Sequence, residues 1–215
     1  LVWFQDFHNP FYIAERVGKN KKVFNMIKIR SMTINADKPG VLSTSNDDQR
    51  ITKVGKFIRK FKLDELSQLL NVFIGQMSFV GPRPNVKDEV DLYSDEELKL
   101  LNVKPGITDF ASIVFSDEGS ILEGSLNPDL DYNQLIRPGK GYLGLFYIKN
   151  QNLIMDIKLI MITFISILNK EKALNYLSKL IKNNNGSELI IEIAKRNKPL
   201  MPIPPPGMQN IVEER

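Results

Sequence analysis

Cysteine is absent from these 215 residues and histidine occurs once, at His8. The first absence excludes a disulfide framework and a Cys-based metal site, and is compatible with a cytosolic location. The second excludes a histidine triad or a multi-histidine metal centre, so a reaction here has to run on carboxylates. There is no internal repeat and no signal-peptide pattern. The longest apolar helical run, Leu159 to Leu168, has about half the length that spans a bilayer, and Asp156 and Lys158 lie just ahead of it. It reads as a core or interface-lying helix. Charge of one sign is scarce: 29 Lys and Arg stand against 25 Asp and Glu, a net +4 with an isoelectric point near 9.1. That balance fits an anionic partner such as a nucleotide diphosphate or a lipid phosphate surface. With no basic and aromatic platform beside it, it argues against nucleic acid.

A hydrophobic content of 42% over this length supplies one sizeable core. Two short runs, Phe11 to Arg16 and Val23 to Ile29, separated by Gly18-Lys19-Asn20-Lys21, read as a β-hairpin that delivers Lys28 and Arg30 to one end of that core. Thr33 to Gln49 has no apolar periodicity and reads as a surface loop able to close over a site. Ser94 with Glu97 three residues on is a capping-box helix start, and the acidic cluster from Asp88 to Glu97 reads as a solvated face. Ser116 to Asn127 is loop-like, Pro128 to Ile136 a short helix, and Arg137-Pro138-Gly139-Lys140 an interruption. Tyr142 to Lys149, Asn152 to Asn169, Glu171 to Lys182 and Ser187 to Arg196 follow as helices. The expected fold is α+β, a mostly helical single domain with an N-terminal hairpin, divided into residues 1–170, a helical extension 171–200, and a proline-rich tail 201–215 that is extended and then loose.

The informative stretch runs from Gln49 to Pro84. A basic segment (Arg50, Lys53, Lys56, Arg59, Lys60, Lys62) carries Val54, Phe57, Ile58 and Phe61 on one helix face. Such a helix lies on an anionic membrane or packs its apolar face into the core while its cations serve a site. Asp64 and Glu65 follow at the expected N-cap of a helix whose Leu66, Leu69, Leu70 and Phe73 share one face, predicted to pack on a core. A helix start favours an ionised carboxylate and also a bound phosphate. Neighbouring residues diverge by about 100°, so the pair suits two jobs: Asp64 attacks an electrophile while Glu65 holds a metal ion, or one carboxylate positions the other. It also suits a plain cap with dipole compensation. Arg83, fixed between Pro82 and Pro84, is well placed to present a guanidinium to a phosphate.

LDELSQLLNVFIGQMSFVGPRP, with ITKVGKFIRKFK and ERVGKNKKVFNMIKIRSM before it and KPGITDFASIVF after it, resembles the catalytic domain of the bacterial sugar transferases, monotopic phosphoglycosyl transferases that start glycan assembly on a polyprenyl phosphate. The resemblance implies that Asp64 is the nucleophile on a UDP-sugar, releasing UMP and forming a covalent phosphosugar intermediate that the polyprenyl phosphate takes up. It implies Glu65 as the Mg²⁺ partner, Arg59 and Arg83 as phosphate-binding residues, and Lys28 and Arg30 as further candidates. It also implies a location on the cytoplasmic face of the bacterial inner membrane, and a membrane-inserted segment ahead of Leu1-Val2-Trp3, so that the chain reads as a fragment. Ser67 stands where the family usually has Pro, Gln76 where it often has Asp, and Asp109-Phe110 where it commonly has Gly-Trp or Gly-Leu. The last departure bears on the donor contacts. The reading from another class is a non-catalytic membrane-peripheral scaffold that uses the basic helix and the apolar C-terminal helices.

Overall fold

The computed structural model describes residues 1–36, 44–45 and 47–214. The middle of the expected Thr33–Gln49 loop therefore lies outside the described residues. The fold is α+β and mostly helical, as the sequence pattern predicts. A short helix α1 (Val2–Asp6) leads into an antiparallel hairpin, β1 (Phe11–Val17) with β2 (Val23–Ile29), in a register that pairs Tyr12 with Lys28 and Ala14 with Met26. The basic helix α2 (Lys53–Lys60) is followed by a 3₁₀ turn, Leu63–Gln68, and by α3 (Leu69–Phe73). Two three-residue strands, β3 (Ser78–Val80) and β4 (Gly106–Thr108), pair in parallel. Between them lie α4 (Lys87–Val90) and α5 (Asp95–Leu98).

The remainder is helical: α6 (Phe110–Val114), α7 (Glu118–Ile121), α8 (Pro128–Asp131), a π-helical turn at Tyr132–Ile136, then α9 (Arg137–Asn150), α10 (Leu153–Leu168), α11 (Lys170–Asn183) and α12 (Glu188–Lys195). Fully buried Phe110, Ile113, Leu143, Leu159, Leu177 and Ile181 join α6 and α9 to α12 in one core. The stretch read as a C-terminal extension thus packs into the same core as the stretch before it. Burial of apolar area is the main stabilising contribution in such a cluster.

Several expectations change. Residues 137–140 do not interrupt a helix: Pro138 falls in the first turn of α9, where a missing N–H costs no intrahelical bond. Residues 118–121, expected as loop, form α7. Ser94 does build the capping box with Glu97, but Glu97 and Glu89 are buried and so do not belong to a solvated face. The tail is extended through its prolines yet is held down. The Pro206 carbonyl accepts from Ser94 Oγ, Pro204 O accepts from Tyr142 at 3.3 Å, and Val212 O accepts from Gln134 Nε2 at 2.7 Å.

The largest change concerns Leu66, Leu69, Leu70 and Phe73. They share a side of the chain but are 45 to 89% exposed, so they cover no core. Phe57 and Phe61 of the basic segment, in ring contact at 5.0 Å, and Trp3, Phe4 and Phe7 are exposed too. Helix α10 is apolar on two faces: Met155, Leu159 and Ile162 are core, whereas Ile154, Ile157, Met161, Phe164 and Leu168 face outward. Among the described residues, no helix is long and apolar enough to cross a membrane.

Candidate active site

The end of β2 and the start of α2 are locked together. Thr52 caps α2 by accepting from Gly55 N at 2.9 Å. A Cβ at Gly55 would run into the Ser31 carbonyl, so only glycine lets the helix pack this closely on the strand end. Arg59, one turn on, then donates from Nε to Ser31 Oγ at 2.9 Å. The chain leaves α2 through Lys62, whose φ of 53° turns it sharply into the 3₁₀ segment. Asp64 is therefore not an N-cap but the second residue of a 3₁₀ turn, in which consecutive side chains diverge by about 120°.

That divergence sends the two carboxylates to different partners. Asp64 Oδ2 lies 3.9 Å from Lys28 Nζ, and Glu65 Oε1 lies 2.9 Å from Arg83 Nη2. Arg83 is in turn held by the β3–β4 junction, donating from Nη1 to Ile107 O at 2.7 Å. The pairing is tight because Gly81 and Gly106 leave no room for a Cβ between the strands. Asp109, the departure in the PGIT block, is a helix cap. It accepts from Ser112 N at 2.7 Å, and its own N–H donates to Ser112 Oγ at 2.8 Å. Burial opposes the charged form of Arg83, and Glu65 followed by Asp109 outweighs it.

Burial raises the Asp64 pKa above the ordinary carboxyl value and Glu65 pushes it further, while Lys28, Arg83 and Arg59 pull the other way. Glu65 also feels burial, but Arg83, Lys62 and Lys28 outweigh it and hold its carboxyl below the usual range. The two neighbours are thus driven apart, a pattern that goes with distinct roles. Burial lowers the pKa of Lys28, Lys62 and Arg59, offset in each case by the facing carboxylates.

A cavity of about 430 Å³ opens over Asp64, with Lys28, Arg30, Arg50 and Arg59 in its wall. A second, of about 610 Å³, shares Tyr12 and Lys28 with the first and has Arg83 in its wall. The structure therefore brings together Asp64, Glu65, Lys28, Arg59 and Arg83. Arg30 borders the first cavity, but its guanidinium is held by Asp6 at 2.5 and 2.7 Å and by Asn9 O at 3.0 Å. Three further cations that no motif marks as site residues also belong here: Lys62, Arg50 and Arg16. The positive φ of Lys62 immediately before the acidic pair is encoded by no glycine or asparagine, and the basic run hides it. Among the described residues no group of three or more acidic or histidine side chains is placed to hold a metal. Asp64 and Glu65 offer hard oxygens, and Mg²⁺ needs only one or two carboxylates when substrate phosphates complete its shell. The donor set fits that ion.

The family model described as bacterial sugar transferase matches residues 1–170. The chain belongs to the bacterial sugar transferase family. Similar sugar transferases include the undecaprenyl-phosphate galactose phosphotransferase of Salmonella typhimurium, 36% identical over 177 residues that cover 75% of this chain and 34% of the relative. A UDP-N-acetylgalactosamine-undecaprenyl-phosphate N-acetylgalactosaminephosphotransferase of Aeromonas hydrophila is 33% identical over 161 residues, 73% of this chain and 35% of that protein. The sugar transferase EpsL of Bacillus subtilis, itself uncharacterized, is 35% identical over 161 residues, 75% of this chain and 71% of its own. The chain spans about a third of the length of several of the curated relatives it matches.

Proposed function

We propose that this chain transfers a phosphosugar from a UDP-sugar to a membrane polyprenyl phosphate, through a covalent intermediate on Asp64. The observation that carries the reading is the Asp64 carboxylate itself: largely desolvated, open to a cavity, and ringed by Lys28, Arg59 and the Glu65–Arg83 pair. A carboxylate is drawn to a diphosphate only where cations neutralise the electrophile, and desolvation then raises its reactivity. Asp64 attacks the sugar-linked phosphorus; the P–O bond to UMP breaks, and UMP leaves with the bonding pair. An oxygen of the polyprenyl phosphate then attacks the same phosphorus and returns Asp64 as a carboxylate. Arg59 and Arg83 hold phosphate oxygens through both steps, and Lys28 favours the ionised form of Asp64 against its burial. Glu65 would hold Mg²⁺, which when bound neutralises the diphosphate.

The lipid acceptor requires a membrane surface. The exposed aromatics of α1 and α2, the apolar residues from Leu66 to Phe73 and the outward stripe of α10 supply an apolar contact, with Lys53, Lys56 and Lys60 for anionic head groups. On this reading the chain sits peripherally on a membrane, and we assign it to the cytoplasmic face of the inner membrane. The same surface favours a non-catalytic scaffold, but a scaffold gives no reason to bury Asp64 at a cost in stability.

The test is UMP release from a panel of UDP-sugars, with Mg²⁺ and polyprenyl phosphate, by the full-length protein. Asp64→Asn is expected to lower the rate at least about a thousandfold with the fold intact. An unchanged rate contradicts the nucleophile assignment.

A further inference from the structure

The reacting carboxylate lines the first cavity, the second adjoins the first through Tyr12, Arg16 and Lys28, and the stereochemistry of a double displacement distinguishes them. In an in-line displacement at phosphorus the attacking and leaving oxygens lie on opposite sides. Asp64 expels UMP, and the lipid phosphate then approaches opposite Asp64, from the space that UMP has vacated. UMP and the lipid phosphate therefore use one space in turn. The sugar stays bonded to the phosphorus throughout and needs a different one.

The first cavity contains Asp64 and Arg59 and suits two successive anions. The second shares Lys28 with the first and is also lined by a group of another character. There Lys140 Nζ donates to Glu118 Oε2 at 2.5 Å and lies 4.8 Å from the centre of the Tyr132 ring, with its other contact the Tyr132 hydroxyl at 3.5 Å. Both charged side chains remain a quarter to a third exposed toward the cavity they line. Tyr132 opens the π-helical turn, a rare conformation that recurs at functional sites. Glu15 and Glu89 also line this cavity, so with Glu118 three carboxylates oppose an anion there, against the cations Arg16, Lys28, Arg83 and Lys140 of the same wall. A neutral polyol meets no such opposition: a carboxylate accepts from adjacent hydroxyls, an ammonium donates to them, and an aromatic face takes the C–H side of the ring.

We infer that Glu118, Lys140 and Tyr132 form the glycosyl subsite and that the Glu118–Lys140 pair sets which hexose the donor carries. The assignment rests on the donor reading above. Its test is equilibrium binding of UDP-galactose, UDP-glucose, their N-acetylhexosamine counterparts and UDP to the full-length Asp64→Asn protein, with and without Glu118→Gln or Lys140→Gln. Each second substitution is expected to weaken the best-bound UDP-sugar by about tenfold or more and to narrow the preference among the four sugars, while UDP affinity stays within about twofold. Retained UDP affinity also shows that the variants are folded. Parallel losses for UDP and UDP-sugar would put the nucleotide in this cavity, and unchanged affinities would make the pair structural; either result overturns the assignment. The donor reading fails differently: the protein without a second substitution then binds no UDP-sugar, or Asp64→Asn alone still releases UMP.

Discussion

Two of the buried ionic clusters among the described residues are built in opposite ways. At the junction of α5 and α9, Arg137 donates to Glu97 through Nε at 2.9 Å and Nη2 at 2.6 Å, to Asn133 Oδ1 at 3.1 Å and to Leu92 O at 2.5 Å, with only 3% and 1% of the two charged side chains exposed. Both charged side chains there are held by protein partners and sealed from solvent. At the end of β2, Asp64 faces Lys28 across 3.9 Å with a cavity above it, and Glu65 meets Arg83 in a single short contact. The first cluster is closed and joins two helices; the second opens onto a cavity. A charge pair can thus be read by what it leaves unfilled.

Breaking the closed cluster should give the largest change in stability. Glu97→Gln strands the Arg137 guanidinium, and denaturant unfolding is expected to show a loss of about 3–5 kcal/mol, as for a buried pair deprived of one partner. An Asp64→Asn protein should show no such loss. Arg83→Lys sharpens the contrast within the open cluster. Lysine keeps the charge but cannot donate to Ile107 O and Glu65 from one rigid fork. UMP release should fall by about 10- to 100-fold, with unfolding little changed.

The smallest effect has a definite sign. Burial raises the folded-state pKa of Asp64, so the native protein holds a proton that the unfolded chain loses near the ordinary value of 3.8. Stability is therefore lost as pH rises from there through the folded-state pKa, and the cost persists at neutral pH. Asp64→Asn removes it: the variant should melt above the wild type at pH 7.5, and the difference should vanish once the pH is below the unfolded-state pKa. A variant that melts lower at neutral pH would mean that Asp64 is a stabilising residue, like Glu97.

What could be read in the sequence was local. The hairpin follows from alternation around Gly18-Lys19-Asn20-Lys21, and the Ser94–Glu97 cap from its spacing, because both are settled within a few residues. The gathering of Lys28, Arg59, Asp64, Glu65 and Arg83 was legible through the family's motifs, since nothing in their spacing brings residue 28 to residue 64. The apolar side at Leu66 to Phe73 was legible as a pattern but not as an exposed surface, because periodicity records that a face is apolar and not what covers it. The roles of Arg30 and Glu97 were hidden for the same reason. Their partners, Asp6 and Arg137, lie 24 and 40 residues away in sequence. Glu118 and Lys140, on α7 and α9, meet across a gap of 22 residues with no motif to announce them.

The most direct test is the mass of the intact full-length protein after incubation with a turned-over UDP-sugar and Mg²⁺ in the absence of lipid acceptor. The account predicts an added phosphosugar on the wild type, mapped to the peptide carrying residue 64, absent from Asp64→Asn and discharged when polyprenyl phosphate is supplied. UMP release without any adduct, or an adduct that survives in Asp64→Asn, would contradict it.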